Sequence, residues 1–241
     1  MRSGVFLIRT INEDYSFIYI QKGEKRLPYY WGVDSAAKVT NDLYDCVLKN
    51  FGKPSYWGRY LAAIPGKVDV LTRDEVTLLH NSGTRVLPIY SNFNQAIGYR
   101  DGSVVAQNTI YQARRLGVPK GKAVFANIER FFDVDEAWIR GFVDGIYPSG
   151  YKPGIYHDPV TGGFSAAYCA AVAKDSKVAN QVVLWSAEPE PGATKARLAP
   201  NFRPKKPPCK GNVWGWQYGR DSEICPIDTN LVNQQFFDLL W

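Results

Sequence analysis

Apolar, β-rich runs recur along this chain at intervals of about thirty residues, the length of one strand–helix unit. They begin near Tyr30, Tyr56, Arg85, Ala123, Lys152, Val182 and Val213. Helical patterns fill the gaps. Thr72-x-x-Glu75 forms a capping box ahead of one helix, and Gly83 stands where that helix should stop. Ile139, Phe142, Val143 and Ile146 repeat at helical spacing after an Asp133-x-x-Glu136 start. Phe164, Ala167, Tyr168 and Ala171 do the same in the next unit. Such stripes face a core. A chain alternating in this way is an α/β protein, and closing its parallel strands gives an irregular TIM-like (β/α) barrel. After Trp185 the rhythm changes. The segment AEPEPGATKARLAPNFRPKKPPCKG is rich in Pro and basic residues and has no helical stripe, so the last third should hold fewer helices.

A barrel of this kind takes about 250 residues, so a chain of 241 has room for one and little else. Residues 29–241 are assigned to it. Residues 1–28 differ: GVFLIRTI and YSFIYIQ flank a polar Asn12-Glu13-Asp14 turn, the pattern of a β-hairpin appendage.

The net charge of +6 favours anionic partners. Much of the excess lies in 195–210, with Arg197, Arg203, Lys205 and Lys206, and the simplest reading of such a run is a solvated loop. No nucleic-acid motif accompanies it, so no nucleic-acid partner is expected. No apolar stretch approaches the ~20 residues of a membrane span. The opening MRSGVFLIRTIN makes a poor signal peptide, being interrupted at Arg9 and Asn12. Cys46, Cys169, Cys209 and Cys225 form no C-x-x-C pair, and with only two His a structural zinc is not expected. Cys209 and Cys225 flank WGWQYG and are candidates for a disulfide. Cys46 and Cys169 fall in helical patterns and are expected as buried thiols. With no Walker loop, G-x-G-x-x-G or G-x-S-x-G, neither nucleotide chemistry nor a Ser-based triad has support, although His157-Asp158 follows a strand end. No cofactor is expected.

Residues at the carboxyl ends of barrel strands converge on one mouth. Asp34 ends YYWGVD and is free to act there, because Thr40 or Asn41 is better placed to cap the following helix. Glu129 ends the apolar AVFANIE, which suggests a carboxyl partly withdrawn from water, the condition that suits a general acid near neutrality. Its alternative is an ion pair with Arg130 or Arg100. Asn127 points to the same side of that strand. Asp228, in PIDTNL, completes an acidic cluster if first and last strands are neighbours, and is otherwise a turn residue. Tyr90, Tyr156, Trp185 and Gln217 end or follow successive strands, where aromatic faces would stack on sugar rings and an amide would meet hydroxyls.

GVD on the first strand, FANIE on the fourth, PGIY on the fifth, LWSA on the sixth, and WQY followed by IDTNL at the end resemble a known pattern. It is that of the glycoside-hydrolase-like family catalogued as domain of unknown function 1906, itself similar to the family 25 lysozymes. The resemblance spans about residues 30–241. It implies an irregular barrel with its site at the strand carboxyl ends and a bacterial cell-wall glycan as substrate. In the lysozyme family the fourth strand carries D-x-E, with Glu as general acid and Asp assisting a neighbouring acetamido group. The matching triplet here is Asn127-Ile128-Glu129, which keeps the acid and replaces the assisting carboxylate by an amide.

The leading expectation is therefore a glycosidase of peptidoglycan or a related amino-sugar polymer, with Glu129 as acid and Asp34 and Asp228 stabilising charge or activating water. It is expected as a monomer, outside the cell or at the wall. Asn127 favours a second reading, a catalytically weak barrel that holds wall glycan through its aromatic cleft. A third makes the basic loop 195–210 the contact for an acidic partner.

Overall fold

The computed structural model describes residues 29–241; the hairpin expected over 1–28 lies outside them. Eight strands follow one another around a closed barrel: β1 (Tyr29–Asp34), β2 (Tyr56–Tyr60), β3 (Arg85–Tyr90), β4 (Ala123–Asn127), β5 (Lys152–His157), β6 (Val183–Ser186), β7 (Asn212–Gly219) and β8 (Asp228–Asn233). The first seven pair in parallel. β8 runs antiparallel to both β7 and β1 and closes the barrel. The segment carrying Asp228 is thus itself a strand. Only residues 220–227 join it to β7, too few for the crossover a parallel neighbour requires.

Helices α1 (Asn41–Asn50), α2 (Arg73–Asn81), α3 (Tyr99–Leu116), α4 (Glu136–Ile146), α5 (Phe164–Lys174) and α6 (Lys177–Gln181) occupy the first five connections. Thr40 caps α1 and the Thr72–Glu75 box caps α2. At α4 the cap is Asp135 rather than Asp133. Its carboxylate accepts the Trp138 N–H and also the Gly98 N–H before α3, tying the two helix starts together. α3 and α4 then touch backbone to backbone. A Cβ on Gly102 would come within 2.1 Å of the Trp138 carbonyl, and one on Gly141 as near to the Tyr99 carbonyl.

Between β6 and β7 there is no α-helix, only a strap with a single 3-10 turn at Ala196–Leu198. Its basic side chains are exposed, but its backbone is anchored. The Ala196 N–H bonds the Phe51 carbonyl at 2.8 Å, and Phe202 stacks on Tyr29 at 4.6 Å. Among the described residues no helix is long and apolar enough to cross a membrane.

The disulfides differ from the expected pairing. Cys46 in α1 is joined to Cys225 in the β7–β8 turn, and Cys169 in α5 to Cys209 at the end of the strap. Cys209 and Cys225 precede and follow the eight-residue β7, and each is bonded to a different helix. Cys46 and Cys169 are therefore bonded sulfurs and not free thiols.

Two apolar cores result. The larger lies between strands and helices. The smaller fills the barrel with Tyr56, Leu87, Ile89, Phe125, Trp185 and Val232. The terminal helix α7 (Gln234–Asp238) closes one end, with Phe236 stacked on Phe125 at 4.9 Å and Phe237 on Tyr30 at 3.7 Å. Ala123 and Arg85, at the amino ends of their strands, bond the Leu239 and Phe237 carbonyls. That end is thus closed, and the carboxyl ends of β1–β7 lie at the other.

Candidate functional site

Strand parity decides what reaches the mouth. On β1 and β8, Asp34 and Asp228 lie directly opposite one another. On β8 the period of two brings Asn230 to the same inner side as Asp228. Asp34 is buried, 2% exposed. Its Oδ1 accepts from Asn230 Nδ2 at 2.6 Å and from Gln217 Nε2 at 3.1 Å. The same Gln217 nitrogen donates to Asp228 Oδ2 at 3.1 Å, and the Asp221 backbone N–H donates to Asp228 Oδ1 at 2.7 Å.

Burial pushes the Asp34 carboxyl up to about 6, with the charge of Glu129 adding to the effect and the two amide donors and Arg220 opposing it. Burial also pushes Asp228 up to about 8, followed by repulsion from Asp34. Two carboxylates side by side in a water-poor site resist carrying two charges.

Glu129 lies two residues beyond β4 and is half-buried. Asn127 Nδ2 donates to its Oε1 at 2.9 Å. Among the described residues it forms no ion pair with Arg130 or Arg100. The strongest withdrawal from water therefore falls on the two aspartates and not, as the apolar run suggested, on Glu129. Glu129 is near enough to Asp34 for its charge to act on that carboxyl. Each of the three carboxylates acts on the phenols of Tyr60 and Tyr156, which burial above all holds well above the ordinary tyrosine range.

Of the expected cleft residues, Gln217 and Tyr156 reach the acids. The Tyr156 hydroxyl donates to Gln217 Oε1 at 2.6 Å. Trp185 is inside the barrel but covered, at 2% exposure, with Tyr156 and Phe125 edge-on to its ring. Its indole nitrogen donates to Asn230 Oδ1 at 3.0 Å. It supports the acids from beneath instead of offering a face to a sugar. Tyr90 requires a correction. Ile89 is the inward residue of β3, so Tyr90 points out of the barrel, into the layer between strands and helices, where it stacks on Phe93. His157 likewise faces outward. It is buried against Phe164, its pKa lowered by burial to about 3, and a neutral ring of that kind is no base near neutrality.

Three contributors escaped the sequence reading. Asn230 was signalled by its place two residues after Asp228 in IDTNL, and Tyr60 by its place two after Gly58. Arg220, whose charge acts on Asp34, Asp228 and Tyr156, had no local signal. Among the described residues no group of three or more His, Cys, Asp or Glu could hold a metal ion. The arrangement suits proton transfer and stabilisation of positive charge.

Comparison with known proteins agrees with this architecture. The crystal structure of an uncharacterized B. stearothermophilus protein is 53% identical, with a TM-score of 0.87 over 88% of this chain and 100% of that one. The Clostridium perfringens spore cortex lytic enzyme SleM shares the fold at 14% identity (TM-score 0.59, 88% of this chain, 69% of that one). So does a family GH25 lysozyme from Aspergillus fumigatus, also at 14% (TM-score 0.52, 88% of this chain, 98% of that one). No curated protein matches this chain in sequence. The profile of the Rv2525c-like, glycoside hydrolase-like domain matches residues 53–206, a span that includes Glu129 and stops short of Asp34 and Asp228 on either side. With well over half its length matched, the chain belongs to the Rv2525c-like, glycoside hydrolase-like domain family.

Proposed function

We propose that this protein is a glycoside hydrolase of peptidoglycan or a related amino-sugar polymer. What supports the reading is the Asp34–Asp228 pair joined through Gln217 at the strand carboxyl ends, with Glu129 near enough for its charge to act on Asp34. A paired-carboxylate site needs one group to protonate the leaving oxygen and another to answer the charge on the sugar. Glu129, the more exposed and aligned by Asn127, gives its proton to the glycosidic oxygen as the C1–O bond breaks. Asp34, fixed below, stabilises the positive charge that develops at C1 and the ring oxygen; water then adds its hydroxyl to C1 and returns its other proton to the Glu129 carboxylate. Asn127 orients Glu129 but, as an amide, cannot act as the assisting carboxylate. Names such as spore cortex lytic enzyme and lysozyme among proteins of the same fold support the choice of polymer. The two disulfides suit an oxidising compartment, in keeping with work outside the cell or at the wall.

The test is release of reducing ends from purified walls. Glu129→Gln should abolish release and leave wall binding intact, and wild-type turnover in that variant would refute the assignment of the acid. Asn127 supports a second reading, a barrel that holds wall glycan without efficient cleavage. Retention on walls by the unsubstituted protein with no reducing ends released would favour it.

A further inference from the structure

Two buried side chains at the strand carboxyl ends carry oxygens that no hydrogen bond uses. Ser91 follows β3 and Asp158 follows β5, at 5% and 4% exposure. Ser91 Oγ and Asp158 Oδ2 have no hydrogen-bond partner among the described residues. Asp158 Oδ1, by contrast, accepts the Val160 and Thr161 backbone N–H groups at 2.7 and 2.8 Å. Those two bonds fix the carboxyl and leave Oδ2 as its free acceptor. Strand β4, which leads to Glu129, runs between β3 and β5. Tyr90 pairs with Ala126, and Asn127 with Tyr156. Continuing that register sets Ser91 beside Asn127 and Asp158 beside Glu129. Ile89 and Tyr156 fill the barrel, and the period of two turns Ser91 and Asp158 to the same inner side. The loops agree with this placement. A Cβ on Gly162, in the loop after Asp158, would lie 2.2 Å from the carbonyl of Arg130, the residue next to Glu129. The other buried atoms without partners are placed differently. Those of Trp138 and His157 are in the outer layer, and Tyr56 opens β2 at the amino end. Arg220, free at Nε, reaches Glu190 through Nη2 at 3.4 Å.

A buried oxygen without a donor is costly, and more so on a carboxylate. Folded chains satisfy nearly all such atoms, and an exception marks a place where something else supplies the partner. We propose that Ser91 Oγ and Asp158 Oδ2 are the two ends of a sugar-binding subsite that grips, through its hydroxyl groups, the ring whose glycosidic oxygen Glu129 protonates. Asp158 Oδ2 accepts from one hydroxyl, and Ser91 Oγ donates to or accepts from another. Neighbouring strands lie about 4.8 Å apart, which puts β3 and β5 about 10 Å from each other across β4. One pyranose ring with a hydrogen bond at either side spans such a gap. A ring held from both flanks keeps its glycosidic oxygen within reach of the Glu129 carboxyl, which Asn127 aligns from the position abreast of Ser91. The subsite rests on the glycosidase reading for the part given to Glu129, but its test needs only the glycan.

The experiment is calorimetric binding of soluble, peptide-free wall glycan fragments, with every protein in the Glu129→Gln background so that the glycan stays whole. Asp158→Asn keeps the oxygen that the loop N–H groups use and turns the free acceptor into a donor. It should weaken binding about tenfold, the loss of a hydrogen bond to a charged group. Ser91→Ala removes a hydroxyl that no protein group uses. It should weaken binding about fivefold and leave the melting temperature no lower, because a buried unpaired oxygen is gone. A packing role gives the opposite result, a lower melting temperature with affinity unchanged. Unchanged affinity in either variant overturns the proposal, including the case in which the two oxygens hold only water. Failure of the Glu129→Gln parent to bind the fragments overturns it as well. The predicted losses of affinity, together with no release of reducing ends by the unsubstituted protein, would count against the glycosidase reading alone.

Discussion

Gly58 and Asp34 are register partners on adjacent parallel strands, and a Cβ on Gly58 would lie 2.6 Å from the Asp34 Cβ. The space that holds the Asp34 carboxyl exists because its neighbour on β2 has no side chain. One step further along, Tyr60 rises on the same inner side and faces the three acids. The site thus depends on a small residue and a large one alternating on a single five-residue strand.

Gly58→Ala is therefore expected to displace Asp34 from Asn230 and Gln217. Overpacking of this kind costs about 1–3 kcal/mol. Denaturant unfolding measures that loss, and reducing-end release should fall by a larger factor than stability alone accounts for. Full activity in a well-folded Gly58→Ala protein would show that the position of Asp34 is immaterial.

The pair also makes stability depend on pH in an unusual direction. Both folded-state values, about 6 and about 8, lie above the ordinary ~3.9 of an unfolded aspartate. Between those limits the folded protein binds more protons than the unfolded chain, so stability is fully present below about pH 4 and is lost as pH rises through 6 and then 8. The slope approaches about 1.4 kcal/mol per pH unit for each proton in question. Asp228→Asn removes the upper step. Its melting temperature should exceed that of the unsubstituted protein near pH 8.5, and the gap should narrow as pH falls and close only below about pH 4. A gap that does not change with pH would contradict this.

The two disulfides should separate stability from activity. In the chain-entropy model, Cys169–Cys209, closing a loop of 40 residues, contributes about 4 kcal/mol, and the longer Cys46–Cys225 loop somewhat more. Cys46–Cys225 also tethers the β7–β8 turn to α1, and that turn carries Asp221, whose N–H holds Asp228. Cys46→Ser/Cys225→Ser should thus lower both melting temperature and turnover. Cys169→Ser/Cys209→Ser should lower melting temperature and spare turnover measured well below it. Equal loss of turnover in both variants would show that the tether has no special bearing on the acids.

Sequence alone determined the repeating strand–helix units, most of their starting points, the cap at Thr72, the thinning of helices after Trp185, Asp34 at the end of one strand and Glu129 just past another. Those features are local: they follow from hydrophobic period, capping chemistry and chain spacing, which a single strand or helix carries within itself. Tertiary structure decided the rest. RVLPIY is apolar on both faces, because a barrel strand is covered inside and out, so nothing in it tells Ile89 from Tyr90. Cysteine partners depended on which helices folding brings beside Cys209 and Cys225, and the direction of β8 on closure of the barrel. The bond from Trp185 to Asn230 joins residues 45 positions apart, and that from Asn230 to Asp34 spans 196. Such contacts arise only once the last strand meets the first, so no stretch of chain could announce them.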